Sequence, residues 1–157
     1  MSEPIYWIKM IHILSATVLF GTGLGTAFHM WMAHRSADVR AIATVSRNVV
    51  LADYLFTTPA VIIQPLTGVL LIWLTGTEPF ALWLVVTYAL YVLTGACWLP
   101  VVWLQIRVRD LARESVETDS KLPATYYGYM RTWFLLGWPA FIAVIAIFAL
   151  MVAKPGL

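Results

Sequence analysis

Three ionisable side chains lie in or beside apolar surroundings in this sequence. His12 and His29 fall within a run free of Lys, Arg, Asp and Glu that extends from Met10 to His34, and Asp53 immediately precedes a second such run. Ionisable groups are costly inside a membrane, so those that occur there are candidates for function. Each histidine could bind a metal, and a carboxylate at the position of Asp53 could handle a proton.

The helical face that carries His12 consists mostly of small residues. At 100° per residue, Leu19, Gly23 and Thr26 fall within about 40° of the stripe of His12. The run Gly21-Thr-Gly-Leu-Gly25 also removes side-chain bulk from the middle of the segment. Two interpretations stay open: tight packing between membrane helices, which favours small residues, or a planar cofactor held edge-on between helices with His12 bound to its metal.

Haem is the planar cofactor that these residues suggest, and helical geometry limits how it can be held. His12 and His29 are 17 residues apart, which is about 25 Å and roughly 260° around an α-helix, so they cannot ligate one iron. Met151 is expected near the depth of His12 and Met130 near that of His29. A Met/His pair is a known axial combination, although methionine in a membrane helix more often serves packing.

Basic residues are expected to gather at one end of the protein. Arg107, Arg109 and Arg131 could bind haem propionates or an anionic substrate there, or they could contact lipid phosphates. Asp53 is expected at the same end. It either pairs with Arg47, Arg107 or Arg109, or it handles a proton.

Four apolar segments must position these residues. Of the 157 residues, 61% are hydrophobic and 11% are charged, whereas an ordinary soluble domain is about 25% charged. Charged residues are absent from four runs, each long enough to cross a bilayer as an α-helix. We therefore predict an all-α integral membrane four-helix bundle that forms one domain over residues 1–157, with spans at about 7–32, 52–75, 80–106 and 131–153. A soluble enzyme is excluded, and a formal charge of +2 without a basic patch argues against nucleic-acid binding.

The two sides of the predicted bundle differ in charge. Eight of the ten Lys and Arg residues lie in the first and third connections between spans. The positive-inside rule then places these connections in the cytoplasm and both termini outside, as in a multi-pass protein of the cell inner membrane. We expect amphipathic helical extensions on the cytoplasmic side, over Ser36 to Val50 and Arg107 to Glu117, and a loop from Thr118 to Ala124.

The first span opens on Trp7-Ile-Lys-Met-Ile-His12, which resembles the HemJ type of protoporphyrinogen oxidase, a small multi-span haem protein, and the wider CopD-like group. This resemblance implies that His12 is an axial haem ligand and that Lys9 lies at the outer interface. The oxidase family also has an essential lysine in a later span, and no lysine occurs here from Pro79 to Ile106. The rest of the chain resembles a family of short predicted integral membrane proteins in four motifs: Gln64-Pro-Leu-Thr-Gly68, Trp98-Leu-Pro100, Gln105-Ile-Arg107 and Gly137-Trp-Pro139.

These observations predict a haem b-binding membrane protein that acts in electron transfer or oxidation. His12 is the predicted metal ligand, and the predicted cofactor-binding set is His12, His29, Gly23, Arg107 and Arg131. A porphyrin-like or quinone-like small molecule is the expected partner besides the lipid bilayer, and a homo-oligomer is compatible with the sequence.

Two further interpretations stay open. One is a transporter or metal-handling protein in which His12, His29 and Asp53 line a path, although the chain has no Met-x-x-Met or Cys-x-x-Cys pair suited to Cu(I). The other is a cofactor-free membrane partner subunit.

Overall fold

Five α-helices account for nearly all of the part of the chain that the computed structural model describes, residues 3–155. A π-helical segment, Asp53–Thr57, joins the second helix to the third without a break. No β-strand occurs within residues 3–155, and the predicted all-α fold is confirmed. The helices are α1 (Glu3–Ser36), α2 (Val39–Ala52), α3 (Thr58–Thr75), α4 (Leu82–Glu117) and α5 (Ala124–Ala153).

Four helical stretches are long and apolar enough to cross a membrane: Glu3–Ser36, the continuous stretch Val39–Thr75, Leu82–Glu117 and Ala124–Ala153. They agree with the four predicted spans, so the protein is a multi-span membrane protein with a four-helix bundle. Because four successive spans alternate in direction, α1 begins and α5 ends on the same side. We call this side the terminal end and the opposite side, where α1 meets α2 and α4 meets α5, the arginine end.

The first connection is helical, and its helix is amphipathic as predicted. Asp38 caps α2, because its Oδ1 accepts hydrogen bonds from the backbone N–H of Arg40 and Ala41 at 2.9 and 3.3 Å. The helix begins at Val39 rather than at Ser36, since α1 continues through Ser36 and the chain turns at Ala37, whose φ is 56°. The buried face of α2 consists of Ile42, Ser46, Val49 and Val50.

The tightly packed core lies at the arginine end, where α2 and the ends of α1, α4 and α5 meet. The predicted extension of α4 to Glu117 is confirmed, and it supplies one wall of this core. Non-helical chain follows from Thr118 to Pro123, which confirms the predicted loop except at its last residue, Ala124, where α5 begins. The buried core residues are Met30, Ala33, Ile42, Val49, Leu104, Val108, Ala112, Tyr126, Met130 and Trp133.

Towards the terminal end the bundle consists of two helix pairs, α1 with α3 and α4 with α5. One junction between the pairs is aromatic. The ring of Phe20 on α1 makes edge-to-face contacts with Phe141 and Phe148 on α5, with centroids 6.0 and 5.6 Å apart. Such a pair adds about 0.5–1.5 kcal/mol beyond the area it buries.

The second junction is a hydrogen bond that depends on a proline. Pro65 lies inside α3 and has no backbone N–H, so the carbonyl of Val61, four residues earlier, has no helical donor. The hydroxyl of Tyr91 on α4 donates to this carbonyl oxygen at 2.6 Å. The proline therefore creates an acceptor inside the bundle, and Tyr91 uses it to hold α4 against α3.

Candidate functional site

His12 lies between α1 and α3, and both of its ring nitrogens have partners on α3. Nδ1 lies 2.8 Å from the hydroxyl of Thr67, and Nε2 lies 3.1 Å from the amide nitrogen of Gln64. The hydroxyl of Ser15, one turn along α1, donates to the amide oxygen of Gln64. We call His12, Ser15, Gln64 and Thr67 the histidine cluster.

The hydrogen bonds of the histidine cluster define the tautomer of His12. The amide nitrogen of Gln64 can only donate, so Nε2 of His12 accepts and carries the lone pair. The hydroxyl of Thr67 donates to the carbonyl oxygen of Ile63 at 2.8 Å, so it accepts from Nδ1–H. His12 is therefore a neutral imidazole with its proton on Nδ1 and its lone pair on Nε2.

The motif Gln64-Pro-Leu-Thr-Gly68 surrounds the imidazole ring. Gln64 and Thr67 hold its two nitrogens, and a Cβ added to Gly68 would lie 3.5 Å from Cε1 of His12, an ordinary contact. The sequence alone did not predict that this motif contacts His12. Gln64 is the only glutamine or asparagine from residue 54 to residue 77, and Thr67 lies three residues later on the same helical face, which is the signal that could have identified them.

The glycines of α1 are not buried under a neighbouring helix. A Cβ added to Gly21 or Gly25 would have nothing within 4 Å, and one added to Gly23 would lie 3.8 Å from the ring of Phe141. The described part of the chain therefore supplies no close helix packing that requires glycine at these positions. Gly23 faces α5 and lies about 16 Å along α1 from His12.

His29 and Met130 lie towards the arginine end, away from the histidine cluster. The side chain of His29 is exposed on α1, and no hydrogen bond to it occurs within residues 3–155. Met130 is buried in the core, 3% exposed, whereas the imidazole of His29 is exposed. Met151 is half-buried on α5, at the terminal end of the bundle as His12 is.

The arginines predicted to bind a cofactor lie at the opposite end from His12. The guanidinium of Arg107 lies over the ring of Trp103, 5.6 Å from its centroid. Arg131 lines a groove of about 260 Å³ that also includes Trp31 and His34. Since His34 lies about 33 Å along α1 from His12, the structure does not bring Arg131 and His12 together, and these two parts of the predicted set form separate sites.

Asp53 is buried, with 5% of its surface exposed, and it lies at the start of the π-helical segment. Its Oδ1 accepts a hydrogen bond from the hydroxyl of Thr57 at 2.8 Å. Within residues 3–155 the ion pairs are Arg109 with Asp110 and Arg113 with Glu117, so the predicted pairing of Asp53 with an arginine does not form. Thr57 is seven residues from Gln64, about 10 Å along the helix, and Asp53 is therefore not part of the histidine cluster.

The hydrogen bond at Nδ1 of His12 is of a kind that also occurs in metal-binding histidines. A metal-binding histidine usually donates its second ring N–H to a protein acceptor, which fixes the tautomer and the orientation of the ring. Thr67 provides that acceptor, and the lone pair of Nε2 accepts a hydrogen bond from the side-chain amide of Gln64. No three side chains of His, Cys, Asp or Glu come together to hold a bare metal ion within the described residues, whereas an axial haem ligand needs only one imidazole.

A known protein family matches the chain. The model of a family described as "Predicted integral membrane protein (DUF2269)" matches residues 6–155. No curated protein matches the chain, and no solved structure matches it. The resemblance of the first span to the HemJ-type oxidases and the CopD-like group stays a prediction.

Proposed function

The chain belongs to the DUF2269 family of predicted integral membrane proteins, and we propose that this membrane protein binds b-type haem through Nε2 of His12 and acts in electron transfer or oxidation. The observation that carries the proposal is the hydrogen bond between Nδ1 of His12 and Thr67, 2.8 Å long. It leaves the lone pair on Nε2, which is the form of imidazole that binds iron.

The remaining residues of the histidine cluster would orient the ligand and exclude water. Thr67 holds the ring through Nδ1–H. Binding through Nε2 would replace the hydrogen bond from the amide nitrogen of Gln64, whose amide oxygen keeps its bond from Ser15. The haem, when bound, would supply one-electron redox chemistry. A porphyrin-like or quinone-like molecule is the substrate class we propose, because an apolar planar compound partitions into the bilayer that surrounds the helices.

We also propose that the protein lies in the cell inner membrane with its arginine end in the cytoplasm. The excess of Lys and Arg in the connections at that end supports this orientation. Labelling of single cysteines introduced at Asp119 and at Lys154 in intact cells tests it, since only the second position should react with a reagent that does not cross the membrane. Cys97 is replaced by Ser beforehand so that no native thiol reacts.

The absorption spectrum of the protein purified in detergent from haem-replete cells tests haem binding. We expect a Soret band that is lost in His12→Ala and kept in His29→Ala, a control that removes an exposed imidazole from the same helix. A colourless wild-type preparation, or a band that persists in His12→Ala, would contradict the proposal. Metal analysis of a colourless sample would then separate a metal-handling protein from a cofactor-free subunit.

A further inference from the structure

An open groove between α2 and α4 at the arginine end contains three arginines. Its volume is about 500 Å³, and the residues that line it are Ala43, Thr44, Arg47, Arg109 and Arg113. Within residues 3–155, no acidic side chain lines this groove. Small-ligand sites usually have volumes of about 300–1,000 Å³, so the groove is large enough for an anionic group. We call it the arginine groove.

The arginine groove lies at the edge of a well-packed contact between two helices. Val108 and Ala112 on α4 are fully buried in the core that α2 and α4 share. Arg109 and Arg113 each follow one of these buried residues, so each lies about 100° around the helix from it. On α2, the short side chain of Thr44 leaves space beside them. The base of the groove is therefore rigid, while its rim is charged.

The directions of the two helices bring the three guanidinium groups together. α2 runs towards the membrane, because it continues into the span that ends at Thr75, whereas α4 leaves the membrane where it reaches the groove. Side chains on an α-helix tilt towards its N-terminus. Arg47 therefore leans away from the membrane, and Arg109 and Arg113 lean back towards it. Cations from two helices converge on one groove.

The three arginines differ in their acidic partners. Nε and Nη2 of Arg109 donate to Oδ1 of Asp110 at 3.0 and 2.8 Å, and Nε of Arg113 lies 3.6 Å from a carboxylate oxygen of Glu117. In the part of the chain from residue 3 to residue 155, no carboxylate lies within 4 Å of the guanidinium of Arg47. A guanidinium has five N–H donors, so Arg109 also retains three. The groove thus has one cation without a counter-charge and spare donors beside it.

Two tryptophans on α4 indicate the depth of the arginine groove. Trp83 and Trp103 are 20 residues apart, about 30 Å along the helix, which is the thickness of the hydrocarbon core. Each has a cation over its ring, Lys154 at 6.0 Å from the centroid of Trp83 and Arg107 at 5.6 Å from that of Trp103. Tryptophan gathers at the two membrane interfaces. Arg109 follows Trp103 by about 9 Å and leans back, so its guanidinium reaches the layer of lipid headgroups.

We propose that the arginine groove binds the phosphate of one anionic phospholipid from the leaflet at the arginine end. Arg47 is the main contact, because the single negative charge of a phosphodiester supplies the counter-charge that it lacks, and Arg109 and Arg113 donate from α4. Arginine forms paired, charge-assisted hydrogen bonds with phosphate, and basic pockets between membrane helices bind anionic headgroups. A lipid is favoured over a soluble anion because the groove opens beside the headgroup layer. The proposal is independent of haem binding.

Native mass spectrometry of the full chain in detergent, titrated with phosphatidylglycerol, tests the site. We expect one molecule to bind more tightly than phosphatidylcholine with the same acyl chains, which has a phosphate but no net charge. Equal binding of the two lipids would overturn the proposal. Glycerol 3-phosphate, added as a soluble competitor at the same concentration, should leave the bound lipid in place. Displacement of the lipid would identify a soluble anion as the occupant and contradict the lipid assignment.

Two variants and a control locate the bound lipid. Arg47→Gln should weaken phosphatidylglycerol binding about 5- to 10-fold, whereas Arg35→Gln, which removes an exposed arginine at the same end but outside the groove, should change it less than about 2-fold. Thr44→Leu fills part of the groove without changing its charge and should also weaken binding. Both Arg47 and Thr44 are exposed, so these changes leave the core intact. Equal losses in the two arginine variants, or unchanged binding in Thr44→Leu, would refute the site.

Discussion

The hydrogen bond from Tyr91 to the carbonyl of Val61 should matter only because residue 65 is proline. In the wild-type protein, Tyr91→Phe removes the 2.6 Å bond and leaves a carbonyl oxygen inside the bundle with no donor. An intramolecular hydrogen bond contributes about 0.5–1.5 kcal/mol and an unsatisfied buried group costs about 1–3 kcal/mol. Hydrogen bonds between membrane helices average about 0.6 kcal/mol, so we expect a loss of about 1 kcal/mol.

The same substitution in a Pro65→Ala background should cost much less. Alanine restores the backbone N–H at position 65, which can donate to the carbonyl of Val61 within α3. The carbonyl then keeps a partner when Tyr91 becomes phenylalanine. We expect a cost below about 0.5 kcal/mol in this background, and thus a coupling energy of roughly 0.5–1 kcal/mol between positions 65 and 91.

Unfolding in mixed micelles with increasing SDS, followed by far-ultraviolet circular dichroism, measures these free energies. Tyr88→Phe is the matched control, because Tyr88 lies one turn earlier on α4 and its hydroxyl donates to the carbonyl of Pro79 at an exposed position, at 3.3 Å. Its removal should change stability by less than about 0.5 kcal/mol. Equal losses for Tyr91→Phe in both backgrounds would refute the role given to Pro65.

Three further substitutions test other parts of the structure. Thr67→Val removes the acceptor for Nδ1 of His12 and should weaken haem binding about 10- to 100-fold. Titration of the haem-free protein with haem measures this change, and an unchanged affinity would contradict the proposed orientation of the ring. Asp38→Ala removes the cap of α2 and should cost about 0.5–2 kcal/mol in the same unfolding assay, whereas Asp38→Asn should retain most of the stability. Gly76→Ala forces alanine to a φ of 64° at the end of α3 and should cost about 1–2 kcal/mol, and a neutral result would show that the turn relaxes.

The fold could be predicted because insertion of a helix into a membrane depends on the residue composition of a segment about 20 residues long. Charge-free runs mark the four spans, and the spacing of Ile42, Ser46, Val49 and Val50 marks the buried face of α2. The π-helical turn could not be predicted, since nothing in the residues Asp53–Thr57 distinguishes i→i+5 from i→i+4 bonding without the packing around them.

The candidate site was only partly predictable. His12 could be identified because an ionisable side chain inside a membrane has a high free-energy cost, and this can be recognised from a single residue in an apolar run. Its partners Gln64 and Thr67 are 52 and 55 positions away, and only the packing of α1 on α3 reveals that they meet it. The ion pair expected between Asp53 and an arginine does not form for a related reason. Two residues at a similar depth in the membrane can lie on helix faces that do not meet, and the sequence does not show which faces meet.

The π-helical turn also determines how α3 is rotated about the helix axis relative to α2. Its extra residue turns α3 by about 100° relative to an uninterrupted α-helix. The number of residues in the turn therefore determines the direction in which Gln64 and Thr67 face relative to the buried face of α2. Deleting a single residue such as Leu55 would restore α-helical bonding and rotate the partners of His12 away from it, although no contact residue had been changed. At this turn, a gain or loss of one residue would therefore uncouple the two ends of the bundle.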